Sequence, residues 1–164
     1  MKSISFFLLC LLSINSFSQK NEKLKILLDT LKSVDYKLTP NIVIHKSLSD
    51  KNIVWAGKID TIEINKNDNV LTLVFLCSHY YFDKVSKDLI CSKSVKLKKK
   101  GDGNFICKMV SRDMSLETAN NIVKKIYEKS SPFMLIIGKT ENIESSLGKT
   151  FVNVNTYNFY TFHK

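Results

Sequence analysis

The chain has 164 residues, of which 44% are hydrophobic and 24% charged, and it carries a formal net charge of +10 at pH 7. This length fits a single domain with one core, and no repeat, linker or low-complexity segment divides it. The positive balance would suit nucleic acid, an anionic lipid or lipopolysaccharide surface, or solubility alone.

The opening residues predict a secretory signal peptide. Lys2 precedes an apolar run from Ile4 to Leu12, and small residues follow at Ser16 and Ser18. The run is shorter than the roughly 20 residues that a membrane-spanning helix needs, so we expect cleavage after Ser18 rather than a permanent anchor. The expected divisions are a signal peptide at 1–18, an amphipathic helix and lead-in at 19–48, and a barrel domain at 49–164.

Cys10 offers a second way to mature the chain, by lipidation. Leu9 precedes it where a lipobox has Gly, Ala or Ser, and the apolar run continues past the cysteine. Cleavage after Ser18 is therefore the prediction, in a periplasmic or secreted protein whose association with the outer membrane stays open. An envelope component or an anionic surface is the expected partner, and nucleic acid is ranked last.

The stretch from Ile53 to Cys77 predicts two long strands. β-Branched and apolar residues dominate both arms, and the polar run from Asn65 to Asn69 is typical of a tight turn. Apolar residues change parity between Ile59 and Ile62, which predicts a bulge or bend there, or a relaxation at Gly57. The second arm, from Val70 to Cys77, is apolar at nearly every position, which predicts burial on both faces.

The remaining elements follow from spacing and turn signals. Apolar residues at helical spacing predict helices at Asn21–Val34 and Ser115–Lys129, the second capped by Ser115 or Asp113. A short extended segment is expected at Asn41–His45, and a helical turn is expected to carry Tyr80, Tyr81, Phe82 and Val85. A brief strand at Val95 and Leu97 should be followed by a turn at Gly101–Gly103. Further strands are expected at Phe105–Val110, Phe133–Gly138 and Phe151–Phe162, with a polar segment around Glu141–Lys149.

This order of elements predicts a mainly β protein with two helices. Three strands, a helix and two more strands, after one extra N-terminal helix, is the order of an OB-fold, a five-stranded, partly open Greek-key barrel. A bent first strand can take part in closing such a barrel. We therefore expect an OB-fold-like β-barrel of five to six strands.

The run from Lys51 to Ile59, with the later Gly103, Asn104 and Phe105, resembles the exported bacterial OB-like proteins typified by the Slp outer-membrane lipoproteins. The similarity extends thinly from Ser49 to Phe162, and the chain departs from that pattern in its lack of a lipobox. The resemblance implies an envelope role and supplies no catalytic residue. The place of Trp55 and Gly57 on the first strand of a barrel favours an architectural role for them, and the same role is expected for Gly103 and Phe105.

Catalytic motifs find little support, so we predict a non-enzymatic protein without a cofactor. The triplets at Gly138 and Gly148, each followed by Lys and Thr, lack the upstream glycine of a phosphate-binding loop. The three histidines are far apart in sequence, and no nucleophile elbow is present.

The cysteines leave three alternatives open. Cys77 and Cys107 are both expected on strands and are the favoured pair for a disulfide. Cys77, His79, Cys91 and Cys107 are a weak candidate for a tetrahedral zinc site. Ordinary buried thiols are the third alternative.

The leading hypothesis is an exported OB-like domain with a binding or structural role in the bacterial envelope. The alternative is an oligosaccharide- or nucleic-acid-binding OB module, which would use basic and aromatic residues on an exposed sheet face. The candidate ligand-binding residues are Lys58, Tyr80, Tyr81, Lys96, Lys98, Lys99, Lys100, Tyr157 and Tyr160.

Overall fold

Five strands form one closed barrel in a computed structural model that describes residues 29, 31–68, 70–83, 96–128, 132–146 and 148–163. The elements are helix α1 (Pro40–Lys46), strands β1 (Asn52–Asn67), β2 (Val70–Phe82) and β3 (Leu97–Ser111), helix α2 (Leu116–Tyr127), and strands β4 (Pro132–Ser146) and β5 (Lys149–His163). The order around the barrel is β1-β2-β3-β5-β4; β3 and β5 are parallel, and every other neighbouring pair is antiparallel. The predicted mainly β class and the helix between the third and fourth strands are confirmed.

The bend predicted in the first strand is a bulge at Asp60. The pairing of β1 with β2 shifts between Ile59 and Thr61, so Asp60 is the extra residue. Trp55 and Ile59 before the bulge and Ile62 after it all contact the interior cluster. Without the bulge, either Trp55 and Ile59 or Ile62 would face outward, because successive side chains of a strand point to opposite faces of the sheet.

Burial on both faces of β2 is also confirmed. Leu73 and Phe75 are fully buried in the barrel interior. Val74 and Leu76, which alternate with them, are buried in a second cluster on the outer face with Ile106. An apolar run without alternation is expected for such a strand.

The helical turn expected after Cys77 is wrong, because β2 continues to Phe82. Tyr80 pairs with Ala56 on β1 and with Lys100 on β3, so both neighbouring strands extend far enough to carry it. Tyr80 and Tyr81, which suggested a helical turn, in fact lie on opposite faces of the sheet. Val85, the remaining residue of that prediction, lies outside the described residues.

The turn expected at Gly101–Gly103 is likewise wrong: it is an irregularity inside one strand, β3. Only His79 of β2 lies between the pairs Ser78–Asn104 and Tyr80–Lys100, so β3 accommodates extra residues there. Gly103 has a φ of 87°, a conformation that glycine adopts readily. Leu97 of the predicted brief strand and the strand predicted from Phe105 therefore belong to one element, while Val95 lies outside the described residues.

The extended segment expected at Asn41–His45 is instead α1. Pro40 occupies the first helical turn, where its missing N–H costs nothing, and the Thr39 hydroxyl accepts a hydrogen bond from Ile42 N at 3.4 Å. Val43 is fully buried in the interior cluster. Asn41 packs directly against Gly103, where a Cβ would lie 2.7 Å from its Oδ1.

The helix predicted at Ser115–Lys129 is confirmed as α2. The Ser115 hydroxyl accepts a hydrogen bond from Thr118 N at 3.1 Å, and Ala119 and Ile126 are buried in the interior cluster. α2 thus contributes to the same interior cluster as Val43 of α1.

The last two strands extend through the polar segment expected between them. β4 continues to Ser146 and β5 begins at Lys149, and Ser145 pairs with Thr150 close to the turn. Backbone pairing across the hairpin satisfies this polar stretch without burying its side chains.

Most of the predicted N-terminal helix and all of the predicted signal peptide lie outside the described residues. Leu31 has helical backbone, and with Val34 and Tyr36 it packs over Val54 and Ala56 on the outer face of β1. Within the described ranges no helix combines the length and apolar character needed to cross a membrane.

Candidate binding site

The candidate site lies where the segment before α1 crosses the start of β1 and the end of β2. Trp55, which is almost fully buried, fixes this crossing by donating a hydrogen bond from Nε1 to the Leu38 carbonyl at 2.8 Å. Its ring centroid lies 5.6 Å from that of Phe105 and 6.2 Å from that of His79. These rings form the floor of the site.

His79 is a polar residue in this aromatic setting. It continues the inner face of β2, it is only 3% exposed, and its Nδ1 is buried without a hydrogen-bond partner. Burial lowers the pKa of His79 to about 4, although the nearby Asp102 carboxylate acts in the opposite direction. The imidazole is therefore neutral at physiological pH.

Gly101 makes room for the His79 ring. A Cβ at position 101 would overlap the imidazole, with Nδ1 as the nearest atom. The irregularity in β3 thus places a residue without a side chain directly against His79. Only glycine fits this contact without moving the ring.

Tyr81 contacts both His79 and the lysine-rich first part of β3. Its ring meets His79 edge-on at 5.2 Å, and its hydroxyl donates to Asp102 Oδ2 at 3.5 Å. Lys99 Nζ lies 5.7 Å from the ring centroid, within the range of a cation–π contact. Burial and the Asp102 carboxylate raise the pKa of Tyr81, which keeps its hydroxyl protonated.

Two adjoining spaces open here. The first, which we call the His79 cavity, has a volume of about 150 Å³ and is lined by Tyr36, Leu38, Val54, Trp55, His79, Tyr81 and Phe82. The second, the Tyr81 groove, has a volume of about 560 Å³ and is lined by Tyr81, Phe82, Lys98 and Lys99. Tyr81 and Phe82 form the boundary that the two spaces share.

The Tyr81 groove contains three of the residues predicted to bind a ligand: Tyr81, Lys98 and Lys99. Lys98 forms an ion pair with Asp83 at 2.6 Å, and both side chains are more than half exposed. Such an exposed pair contributes little to stability, so the ammonium group stays available to an incoming anion. Lys96 is exposed beside this groove.

Lys100 and Tyr80 lie on the outer face of the sheet. They belong to a row of backbone pairs that continues through Ala56 and Leu135 to Tyr160. Both intervening residues are buried beneath the segment that carries Leu31, Val34 and Tyr36, so the row is interrupted.

Lys58 occupies the neighbouring row and pairs with Ser78 and Phe133. The Phe133 ring also contacts Tyr80 edge-on at 5.1 Å. Tyr157 lies apart, exposed on β5 where its pairing with β4 is irregular. The predicted ligand-binding residues are therefore distributed over several surfaces.

The cysteines do not form the expected disulfide: Cys77 and Cys107 are both free and buried. Cys77 pairs with Phe105 and Cys107 with Phe75, so the two are diagonal neighbours on adjacent strands. Diagonal neighbours are typically 7–8 Å apart, which is too far for the short Cβ separation of a disulfide. Burial raises the pKa of both thiols, to about 11 for Cys107.

Each thiol has another neighbour. Cys77 Sγ lies 3.3 Å from Met134 Sδ, and Cys107 Sγ accepts a hydrogen bond from the Thr156 hydroxyl at 3.2 Å. Among the described residues, no group of three or more His, Cys, Asp or Glu side chains is placed to hold a metal ion. Cys91, the fourth member of the candidate zinc site, lies outside those residues.

A second groove was missed by the sequence analysis. It has a volume of about 520 Å³, adjoins the β1–β2 turn, and is lined by Ile64, Asn65, Lys66, Asn67, Thr72, Val74 and Lys108. The polar run at Asn65 was interpreted as a turn alone. The alternation of Thr72 with the buried Leu73 is the signal that could have placed this side of β2 on a surface.

In comparisons with known proteins, no family model, no curated protein and no solved structure matches this chain.

Proposed function

We propose that this protein is an OB-fold domain exported to the bacterial cell envelope, where it binds an anionic component without catalysing a reaction. The strand order, the parallel pairing of β3 with β5 and the helix between β3 and β4 support the fold. The opening segment from Lys2 to Ser18 and the resemblance to Slp-type lipoproteins support the location.

The observation that carries the binding role is the Tyr81 groove. It combines a tyrosine ring with the ammonium groups of Lys98 and Lys99 in one open space. A ring face offers stacking to a sugar or base, and the lysines attract negative charge. An acidic oligosaccharide satisfies both requirements and is a component of envelope surfaces.

The binding experiment compares variants of the mature protein. Lys98→Ala and Lys99→Ala, alone and together, are titrated with an oligogalacturonate hexamer, and Lys125→Ala serves as a matched control because Lys125 is exposed on α2. The double variant is expected to lose roughly tenfold in affinity, since each exposed ionic contact is worth up to about 1 kcal/mol. Equal affinity of the double variant and the control would exclude the groove.

A single-stranded nucleic acid is the second candidate, because Tyr81 could stack on a base as well as on a sugar. A dT10 oligonucleotide should then bind with an affinity that falls steeply with salt, with a slope of about 0.7 for each neutralised phosphate. Binding of the saccharide alone favours the leading proposal, and tighter binding of dT10 favours the alternative.

Export has its own test. Cell fractionation followed by mass spectrometry of the mature N-terminus should find a chain that starts at Gln19 in the periplasm or medium. Lipid attached to Cys10 would instead place the protein on a membrane, and an intact Met1 in the cytoplasm would contradict export.

A further inference from the structure

The His79 cavity is a partly open space of about 150 Å³ at the end of the barrel, and the buried His79 forms part of its wall. A buried polar atom such as His79 Nδ1 is normally hydrogen-bonded. His79 departs from this rule in a side chain that also lines an open space, although its Nδ1 edge faces Gly101, and departures of this kind are concentrated at functional sites.

The size and walls of the cavity define what it can hold. A cavity of about this volume with apolar walls is known from another protein to accept benzene. Here the walls include the rings of Trp55, Tyr36 and Tyr81, which suit an offset or edge-on aromatic contact. One six-membered ring is therefore the occupant that fits.

His79 supplies the polar element. Gly101 packs against the Nδ1 edge of the ring, so a ligand must reach the imidazole by its Nε2 edge. A neutral imidazole can donate or accept one hydrogen bond at that nitrogen, depending on its tautomer. A ring bearing a nitrogen or hydroxyl would bind better than a plain hydrocarbon ring.

We propose that the His79 cavity is a binding site for one small, uncharged planar ring carrying a hydrogen-bonding atom, held between Trp55 and Tyr81 with His79 as its polar partner. The cavity shares Tyr81 and Phe82 with the Tyr81 groove. It requires no charge on the ligand and no lysine, so the two proposals can fail independently.

The experiment uses Trp55, the only tryptophan in the sequence, as a fluorescent reporter inside the cavity. The mature protein is titrated with benzene, pyridine and phenol. We expect saturable changes in Trp55 emission at about millimolar concentrations, as is usual for such small ligands. Pyridine or phenol should bind roughly three- to tenfold more tightly than benzene, corresponding to one hydrogen bond.

Three variants locate the binding. Val54→Phe should fill the cavity and abolish binding of all three rings, whereas Val110→Phe, at an exposed position of β3, should leave it unchanged. His79→Phe should keep benzene binding but remove the preference for phenol or pyridine. Circular dichroism checks that each variant is folded, and Val54→Met replaces Val54→Phe if the latter does not fold.

Three results would overturn the proposal. These are no saturable change with any ring in the unmodified protein, undiminished binding after the cavity is filled, or an unchanged preference in His79→Phe. None of them depends on the saccharide titration, so a failed anion site and a failed ring site are distinguished.

Discussion

Cys77 and His79 lie two residues apart on the inner face of β2, yet their surroundings differ sharply. Cys77 sits in the closed apolar interior beside Met134. His79 sits at the barrel end among aromatic rings, with an unpartnered nitrogen and an adjoining cavity. Both residues belong to β2, so the difference comes from the neighbouring strands and from the segment that ends at Leu38.

β3 pairs with β2 in register at Cys77, whereas β1 carries its bulge at Asp60 directly after Ile59, the partner of Cys77. Beside His79 the register of β3 is broken by Gly101–Gly103, and the segment ending at Leu38 covers the opening. Beside Cys77, apolar side chains fill the interior despite the bulge. The space beside His79 lies at the end of the barrel and is lined by β1, β2 and the segment before α1, so an irregular neighbouring strand alone does not explain the difference.

Among the substitutions at the His79 end of the barrel, removal of the Trp55 ring is expected to cause the largest loss of stability. Trp55→Ala is expected to lower the free energy of unfolding by roughly 3 to 5 kcal/mol, because it leaves a large cavity and an unpaired Leu38 carbonyl. Urea unfolding followed by circular dichroism measures this loss without needing the tryptophan signal. Tyr157→Ala, at an exposed position, is the control and should change stability by less than about 0.5 kcal/mol.

Acid should affect the His79 end selectively. The pKa of His79 is about 4 in the folded protein and 6.5 for an unperturbed group, so between these values the unfolded chain binds a proton that the folded chain does not. Stability therefore falls as pH drops from about 6.5 to 4, by about 3 kcal/mol, and this group causes no further loss below that range.

The measurement is urea unfolding at pH values from 4 to 7 in the unmodified protein and in His79→Phe. Subtracting the two profiles removes the contribution of the carboxylates. A difference that does not change with pH would mean that His79 titrates alike in both states, which contradicts its burial.

Gly101→Ala sharpens the role of the irregularity in β3. The added methyl group would overlap the His79 ring, so we expect a loss of about 2 kcal/mol from overpacking. Gly148→Ala is an informative comparison, because Gly148 has a φ of 71° but open space around its Cβ position. In a double-mutant cycle, His79→Ala should relieve most of the cost of Gly101→Ala.

The smallest effect is expected at the apolar end of the comparison. Cys77→Ser places a hydroxyl next to Met134 and should cost roughly 1 to 2 kcal/mol. Cys107→Ser should cost less, because the Thr156 hydroxyl can donate to the new oxygen as it does to the sulfur. Equal losses at the two positions, measured by thermal unfolding, would show that the Thr156 contact contributes nothing.

Alternation and turn chemistry were enough to predict much of the barrel from the sequence. The change of parity between Ile59 and Ile62 predicted the bulge, because both sets must face one interior. The unbroken apolar run of β2 predicted burial on both faces, and the helical stripe at Ser115–Lys129 predicted α2. These are local patterns that tertiary contacts reinforce.

The candidate site could not be predicted in the same way. Tyr81 and Lys99 were identified as ligand-binding residues, but His79 was considered only with the cysteines. Its importance comes from Gly101 and Leu38, which are distant in sequence and reach it through strand pairing and through the Trp55 hydrogen bond. No pattern of neighbouring residues in the sequence predicts that these distant residues lie close to His79.

The sequence alone was enough to predict where apolar and polar side chains alternate along a strand and where the first strand bends, because these are properties of neighbouring residues. Only the tertiary structure decided that Gly101–Gly103 is an irregularity within β3 rather than a turn, and that α1 forms at Pro40. The physical reason is that backbone groups near a glycine can satisfy their hydrogen bonds in a turn or across a strand pair equally well. The partner strand β2, which extends to Phe82, selects the second arrangement and with it the contact between Gly101 and the His79 ring.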